Sequence, residues 1–379
     1  MEHFIPFNKP YMTGQEVQYI KEAVEEGHLS GNGIFTQWCQ QFLESRLKCN
    51  KVLLTNSCTA ALEMSALLLN IKPGDEVIVP SFTFVSTALA FVRQGANIRF
   101  VDSEETTPNI DPLLIESQIT HKTKALVVVH YAGVACQMKR IMEIAQKHNL
   151  FVIEDAAQAI DSYYQGKALG TIGHLSTFSF HETKNIQCGE GGFLAINEPL
   201  LAERAEIIWE KGTNRAKFFR GEIDKYNWVD TGSSFLPSDM QAAFLKAQLE
   251  SIDTIQKQRI HISEKYEHLL NPLVLKKKIK TLHIAKDATN NGHIFYILCR
   301  DLEERTALIS HLKEANIQAV FHYLGLHNSP FIKRSQTPQT ESFYECSKYA
   351  DTLLRLPLYY ELKDQEVVRV AETILDFYE

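Results

Sequence analysis

Three short polar segments of this sequence carry side chains that could do chemistry. Residues 56–59 (NSCT) supply an amide, a thiol and two hydroxyls. Asp155 stands within residues 154–158 (EDAAQ), and Lys184 stands within residues 181–185 (HETKN), shortly before the glycines of residues 189–192. Each segment also has a structural interpretation: a helix cap, a helix-starting aspartate and a surface lysine in a glycine loop. The elements around them decide between the two interpretations.

Each segment suits a different part of one ligand. Small polar residues at a helix N-terminus present free N–H groups and hydroxyls, which bind phosphate. An aspartate at a buried sheet edge can pair with a pyridinium nitrogen or another buried cation. A lysine removed from water has a lowered pKa and becomes a nucleophile for a Schiff base.

Apolar, β-branched runs precede all three segments. Runs of this length predict strands buried on both faces, and they stand at residues 51–55, 76–80, 98–102, 124–130, 150–155, 175–180 and 193–196. Helical patterns at 59–70, 83–94 and 139–149 separate several of them. Strands that alternate with helices predict an α/β fold with a mostly parallel sheet, which binds ligands at the carboxyl ends of its strands.

The pattern changes near residue 239. Residues 239–270 read as one long helix with Ser238 as its N-cap and Asn271-Pro272 as its stop. A strand at 293–299 and helices near 303–316, 344–354 and 364–378 follow. We therefore predict a large domain over residues 1–245 and a small α+β domain over residues 246–379.

Composition narrows the class of protein. With 379 residues, 45% of them hydrophobic, the chain can bury a large core. The net charge of -7 argues against nucleic-acid binding. No apolar run reaches the roughly 18 residues of a membrane span, and the N-terminus does not resemble a signal peptide, so we expect a cytoplasmic protein. The 7 cysteines include no CxxC pair and the 14 histidines no HExxH motif, so we expect no metal.

The order of the three segments along the chain indicates one kind of cofactor. A phosphate-binding helix start, then an aspartate, then a lysine, each following a predicted strand, is the arrangement that a pyridoxal phosphate enzyme needs. The same arrangement argues against a nicotinamide-dependent dehydrogenase, because residues 56–60 contain no glycine.

Four stretches, at residues 51–62, 80–87, 154–159 and 176–192, resemble the DegT/DnrJ/EryC1/StrS sugar aminotransferases, of pyridoxal-phosphate-dependent fold type I. The resemblance extends over nearly the whole chain. Residues 181–185 and 211–235 resemble one subgroup further, the dTDP-4-amino-4,6-dideoxygalactose transaminases.

The resemblance implies roles around the cofactor, pyridoxal 5'-phosphate. Lys184 would form the Schiff base and transfer the proton, and Asp155 would pair with the pyridine nitrogen. Gln158 would lie against the ring, and Phe84 occupies a position where many relatives carry a tryptophan that stacks on it. His181, three residues before the lysine, has either a catalytic or a packing role.

The phosphate would be bound from both subunits of a homodimer. Cys58, Thr59 and Ser179 would hold it within one chain, and Asn227 of the neighbouring subunit would reach the same group. The active sites would then be shared.

For the substrate, the basic and aromatic stretch 214–220 is a candidate for the nucleotide, with Arg215 and Arg220 on its diphosphate; a solvated charged loop is the alternative. His322 and Tyr323 are candidates for closing over the sugar.

The implied reaction moves the amino group of L-glutamate to a nucleotide-linked 4-keto-6-deoxy sugar, in a surface-polysaccharide or secondary-metabolite pathway. Alternatives are the gluco epimer, a reaction at the 3-position, a dehydratase, whose branch replaces the lysine by histidine, and a non-catalytic regulatory protein on the same scaffold.

Overall fold

The computed structural model of the chain describes residues 3–336 and 339–379. In this part of the chain the strands are β1 (Lys51–Thr55), β2 (Glu76–Pro80), β3 (Asn97–Val101), β4 (Thr123–Val129), β5 (Phe151–Asp155), β6 (Tyr163–Tyr164), β7 (Lys167–Ala168), β8 (Leu175–Ser179), β9 (Gly192–Ile196), β10 (Lys280–Thr281), β11 (Tyr296–Leu298), β12 (Val320–Phe321) and β13 (Leu353–Arg355).

The α-helices are α1 (Glu16–Glu26), α2 (Ile34–Leu47), α3 (Cys58–Leu68), α4 (Ser86–Val92), α5 (Pro112–Ile115), α6 (Met138–His148), α7 (Ala202–Trp209), α8 (Arg215–Phe219), α9 (Asp239–Glu250), α10 (Ile252–Leu275), α11 (Leu302–Glu314), α12 (Pro330–Ser335), α13 (Tyr344–Thr352) and α14 (Asp364–Phe377). Short 3-10 turns lie at Glu116–Gln118, Tyr131–Gly133, Pro199–Leu201 and Leu326–Asn328.

A seven-stranded sheet with the order β1-β9-β8-β5-β4-β2-β3 forms the centre of the large domain. The pairings β2–β3, β2–β4, β4–β5 and β5–β8 are parallel, whereas β9 runs antiparallel to both of its neighbours. All seven strands predicted from the apolar runs are present, and the mostly parallel sheet is confirmed. Their side chains are buried on both faces, which explains why the runs are continuous rather than alternating.

The second sheet, β10-β11-β13-β12, is antiparallel and belongs to the small domain. Its apolar core includes residues of α10, α11 and α14 together with Ile5 from the N-terminal segment. The domain boundary near residue 245 stays a prediction, because α10 contributes to both cores: Ile255 packs with the large domain and Ile262 with the small one.

The long helix predicted near the domain boundary is wrong in extent. The single helix 239–270 is in fact two helices that break at Ser251, which has a non-helical ψ of 5°. The break lets α9 stay on the large sheet while α10 crosses to the small one. The predicted stop is also wrong, since Pro272 lies inside α10, in its last two turns. Ser238 does cap α9, accepting a hydrogen bond from the N–H of Gln241.

Two boundaries in the small domain also differ from the prediction. The helix predicted over 344–354 ends at Thr352, because residues 353–355 pair with β11 and β12 as a strand. The strand predicted over 293–299 is reduced to Tyr296–Leu298. Short strands depend on their partners, which the local pattern does not contain.

Across residues 3–336 and 339–379 no helix is long and apolar enough to cross a membrane. Within the same residues, no three histidine, cysteine, aspartate or glutamate side chains come together as a metal site would require.

Candidate active site

The carboxyl ends of the parallel strands and the facing side of the small domain enclose a cavity of about 680 Å³. This volume lies within the roughly 300–1,000 Å³ of small-molecule sites. Lys184, Asp155 and Thr59 line it, as do Ser179 and Gln158. The cavity therefore brings together the three segments that the sequence analysis selected.

The N-terminus of α3 opens into this cavity. Ser57 caps the helix by accepting the N–H of Ala60 at 3.1 Å, which leaves the amides of Cys58 and Thr59 without a partner among the described residues. The adjacent strand carries Gly192, where a Cβ atom would lie 2.5 Å from the Cys58 nitrogen. Only glycine allows this close approach, so the first turn of α3 is held tightly against β9. The free amides of this turn suit an anion.

Asp155 ends β5 at the buried base of the cavity. Its Oδ2 accepts the hydroxyl of Thr87 at 2.7 Å and its Oδ1 accepts the N–H of Ala157 at 3.2 Å. Burial raises the pKa of Asp155, while these two hydrogen bonds oppose the shift. A desolvated carboxylate that has no basic hydrogen-bond partner among the described residues is suited to bind a cation such as a protonated pyridine nitrogen.

Lys184 reaches the cavity from the loop after β8. Burial lowers its pKa, and the positive charge of Arg355 adds to the effect, while Asp155 opposes it. A lysine with a lowered pKa has a larger fraction of neutral amine, which is the form that attacks a carbonyl carbon. The neighbouring His181 also lines the cavity, but its Nδ1 contacts Thr183 Oγ1 at 3.0 Å, so it is partly engaged by its own loop.

Gln158 and Phe84 also line the cavity. Gln158 accepts the N–H of Ala132 at 2.6 Å, and its Nε2 lies 3.4 Å from the hydroxyl of Tyr323. The ring of Phe84 is 55% exposed and lies 6.3 Å from the ring of Tyr323. Such an exposed ring at a cavity mouth is free to stack on a planar ligand.

His322 and Tyr323 line the cavity from the small domain, and their role in closing over the sugar stays a prediction. Their rings stack at 3.5 Å, and His322 Nδ1 lies 3.0 Å from the hydroxyl of Tyr131. Burial lowers the pKa of His322 to about 2, so it is neutral at physiological pH.

Three predicted residues lie outside this cavity. Arg215 faces Glu210 at 3.6 Å, and Arg220 pairs with Glu206 and Glu222. Asn227 is exposed, and its backbone exchanges hydrogen bonds with Asn214. Within one chain these residues do not reach the other site residues, and their roles stay predictions.

Sequence reasoning missed several residues of the cavity. Thr87 holds Asp155, while His293 and Arg355 contribute from the small domain. Thr87 lies in residues 80–87, one of the stretches on which the family resemblance rests. No motif, however, marked its hydroxyl as part of the site. Nothing local distinguishes the other two, because only the packing of the two sheets places them beside Lys184.

These residues fit a pyridoxal phosphate cofactor. The free amides of α3 suit its phosphate, Asp155 suits its ring nitrogen and Lys184 suits its aldehyde. The fold combines a mostly parallel large sheet with a small C-terminal domain, and this set of residues lies between them. Together they define the class of pyridoxal-phosphate-dependent aminotransferases.

Comparison with known proteins supports the same class. Residues 10–375 match the DegT/DnrJ/EryC1/StrS aminotransferase family. The spore coat polysaccharide biosynthesis protein SpsC of Bacillus subtilis is 33% identical, covering 99% of this chain and 97% of SpsC. The GDP-perosamine synthase of Escherichia coli O157:H7 is 32% identical, covering 99% of both chains. The solved sugar aminotransferase Spr1654 from Streptococcus pneumoniae, in its PLP form, is 26% identical with a TM-score of 0.90, covering 99% of this chain and 98% of that one.

The chain belongs to the DegT/DnrJ/EryC1/StrS aminotransferase family. It is a sugar aminotransferase of fold type I, and its cofactor is pyridoxal 5'-phosphate.

Proposed function

We propose that this enzyme transfers the amino group of L-glutamate to dTDP-4-keto-6-deoxy-D-glucose and forms dTDP-4-amino-4,6-dideoxy-D-galactose. The observation that carries the transfer from an amino acid is the guanidinium of Arg355, which lines the same cavity as Lys184 and Asp155 and has no carboxylate partner among the described residues. The alternatives for the acceptor are the same chemistry with the gluco product and amination at the 3-position.

Arg355 ends β13 and lines the cavity. Its guanidinium lies 4.6 Å from the ring centre of Phe7 and donates to the carbonyl of Phe321 at 3.2 Å. No carboxylate among the described residues forms an ion pair with it, and its Nε has no hydrogen-bond partner there. Burial lowers its pKa, while the nearby Tyr131 and Tyr323 oppose the shift. A planar guanidinium in this position suits the carboxylate of an amino-acid donor.

The choice of acceptor rests on sequence and on the relatives. Residues 211–235 resemble the dTDP-4-amino-4,6-dideoxygalactose transaminases. The E. coli relative is named for GDP-perosamine, a sugar nucleotide, and SpsC for the biosynthesis of a spore coat polysaccharide. These names support a sugar-nucleotide acceptor and a polysaccharide pathway. We expect the enzyme to act in the cytoplasm.

We further propose a homodimer with shared active sites. The segment 214–229 exposes large apolar side chains, among them Trp228 (82%) and Phe219 (66%). Exposed apolar surface of this kind is typical of an interface. If this segment packs on a second copy, it brings Asn227 to the partner's phosphate site and Arg215 and Arg220 to the nucleotide.

The residues of the chain then have distinct tasks. The bound cofactor supplies an electron sink. Asp155 keeps the ring nitrogen protonated, the amides of Cys58 and Thr59 hold the phosphate, and Arg355 orients the donor by its carboxylate. Lys184 Nζ would take the proton from the α-carbon of the donor and deliver it to the carbon that carried the cofactor's aldehyde, a task for which a neutral amine of lowered pKa is needed.

The test is the absorbance spectrum of the purified protein with L-glutamate and then dTDP-4-keto-6-deoxy-D-glucose. A cofactor band that bleaches with glutamate and returns with the sugar supports the proposal. NMR of the product distinguishes the galacto from the gluco amine and position 4 from position 3. A band that bleaches and does not return rejects this acceptor, and a band that glutamate leaves unchanged rejects this donor.

A further inference from the structure

His293 lies on the small-domain wall of the cavity, just before β11, and is 8% exposed. Its Nδ1 lies 2.8 Å from Oδ1 of Asn185, the residue that follows Lys184. Its other ring nitrogen, Nε2, has no hydrogen-bond partner among the described residues. Nε2 is also absent from the fully buried side-chain atoms that lack a partner, so it keeps some contact with solvent. One edge of the ring is therefore held by the protein, while Nε2 is accessible.

The orientation of the Asn185 amide decides which nitrogen of His293 carries the hydrogen. Asn185 Nδ2 lies 2.8 Å from the backbone carbonyl oxygen of Asn291. A carbonyl oxygen only accepts, so the NH2 group of Asn185 must face it. Nδ2 also donates to Gln256 Oε1 at 2.7 Å. That amide is oriented in the same way, because Gln256 Nε2 donates to the carbonyl of Ile160 at 3.0 Å.

It follows that Asn185 turns its Oδ1 toward His293. Since Oδ1 only accepts, Nδ1 of His293 must carry the hydrogen. Burial holds the pKa of His293 well below its usual range, and the positive charges of Lys184, Arg259 and Arg355 add to the shift. The ring is therefore neutral, and its Nε2 presents a lone pair to the cavity.

The backbone that carries the His293 ring is also held in place. Arg259, in α10, donates to the carbonyls of Gly292 and His293 at 3.0 and 2.9 Å. Lys184 and Arg355 supply donors on the cavity wall, and the carboxylates of Asp155 and Glu190 also line it, Asp155 being assigned to the cofactor nitrogen. A sugar ring brings hydroxyl hydrogens that need an acceptor.

We propose that Nε2 of His293 accepts a hydrogen bond from a hydroxyl of the ketosugar and thereby positions the acceptor substrate. This inference rests on the proposed function, since it assigns a residue to the sugar half of that reaction. Asn185 acts through His293 as a positioning residue.

The tautomer is measured directly by two-bond 15N–1H NMR on the holoenzyme labelled with 15N-histidine, with H293N identifying the signal. We expect a protonated Nδ1 and an unprotonated Nε2. A protonated Nε2, or a doubly protonated ring, at neutral pH would overturn the proposal. This readout does not depend on turnover.

Two variants separate the role of each ring edge. In H293N the new amide can still donate to Asn185 but is too short to present the cavity acceptor. In H293Q the longer side chain restores an acceptor near the position of Nε2. We expect H293N to lower kcat/KM for dTDP-4-keto-6-deoxy-D-glucose by about three- to tenfold, H293Q to recover most of it, and the loss to be larger in the sugar half-reaction than in the glutamate half-reaction.

Other results of these experiments would contradict one of the two proposals. If H293N is as active as the wild type toward the sugar, or if both variants fall equally in both half-reactions, His293 has a structural role and the proposal is wrong. If the wild type itself bleaches with glutamate but does not react with this sugar, the proposed acceptor fails. The tautomer and the response of H293N to other ketosugars then still decide the role of His293.

Discussion

Thr87 donates its hydroxyl hydrogen to Asp155 across 2.7 Å, and its own oxygen lies 2.8 Å from the hydroxyl of Thr83. This chain of hydroxyls ties the first turn of α4 to the end of β5. It fixes one oxygen of the carboxylate, while Ala157 fixes the other. The carboxylate is thus oriented before any ligand binds, which is how a buried charge is prepared for one cation.

The first prediction concerns the stability of the cofactor-free protein with Asp155→Asn. Because burial raises the folded pKa of Asp155 above its ordinary 3.8, its stabilising contribution is present below pH 3.8 and is lost as pH rises through the folded pKa. Cofactor-free D155N should therefore be at least as stable as the cofactor-free wild type at pH 7, with the difference shrinking below about pH 4.

Urea unfolding at both pH values checks this, and cofactor titration of the same variant should show weaker binding. A cofactor-free D155N that is clearly less stable at pH 7 would mean that its hydrogen bonds outweigh the cost of burying the charge.

Lys184→Ala should abolish the cofactor absorbance change with L-glutamate and lower the rate of transamination by roughly 10²–10⁴-fold, because it removes both the amine that holds the aldehyde and the group that moves the proton. Lys147→Ala is a matched control, since Lys147 is exposed and pairs with Glu116 on the surface. Stopped-flow absorbance measures both. Residual activity within tenfold of the wild type would remove Lys184 from the role assigned to it.

Arg355→Gln should raise the KM for L-glutamate by about 10–100-fold, the equivalent of losing one charge-assisted hydrogen bond of about 1.5–3 kcal/mol. Arg355→Lys should recover part of this, because it restores the charge without the planar fork. Arg300→Gln, at an exposed pair with Asp301, is the control. If the glutamate half-reaction of R355Q is unchanged while the sugar half-reaction suffers, Arg355 binds the acceptor instead.

Glu154, which precedes Asp155 in the chain, should contribute to the stability of the fold. It accepts the N–H groups of Gly170, Ile172 and Gly173 and pairs with His130 at 2.8 Å. Although burial alone would raise its pKa, these hydrogen bonds lower it below 4.5. The contribution is present above pH 4.5 and is lost as pH falls through the folded pKa.

Glu154→Gln should therefore lower the free energy of unfolding at pH 7 by about 1.5–3 kcal/mol, and by less in acid, as measured by urea unfolding. Glu314→Gln, at an exposed position of α11, should change it little. An equal loss at pH 7 and at pH 3 would show that the shape of the side chain matters rather than its charge.

Shared active sites are tested by mixing two inactive variants. Lys184→Ala and Asn227→Asp, the second placing a negative charge toward the phosphate, should each be inactive alone. After subunit exchange in a symmetric dimer, one site of each mixed dimer is intact, so roughly a quarter of the wild-type activity should return. Size-exclusion chromatography confirms the dimer. A mixture that stays inactive although the subunits exchange would place Asn227 in the same site as its own Lys184.

The sequence by itself determined the central sheet and the residues at its carboxyl edge. Seven continuous apolar runs predict seven buried strands because a strand that is covered on both faces is apolar at nearly every position. Asp155 and Lys184 follow from the same logic, since Asp155 ends one such strand and Lys184 lies in the loop after another. The Ser238 cap is equally local, because a side chain two or three residues from an amide needs only its own turn.

The tertiary structure decided what the small domain contributes. The break at Ser251 turns α10 from one core to the other, and neither helix shows this in its own periodicity. Arg355 and His293 lie on short strands or their approaches, and they meet Lys184 only because β13 and β11 pair and face the large sheet. Local sequence encodes which side chains a strand carries. It does not encode which distant strand will bring an unpaired guanidinium and a histidine of fixed tautomer to the same cavity, since that depends on how two separately formed cores pack together.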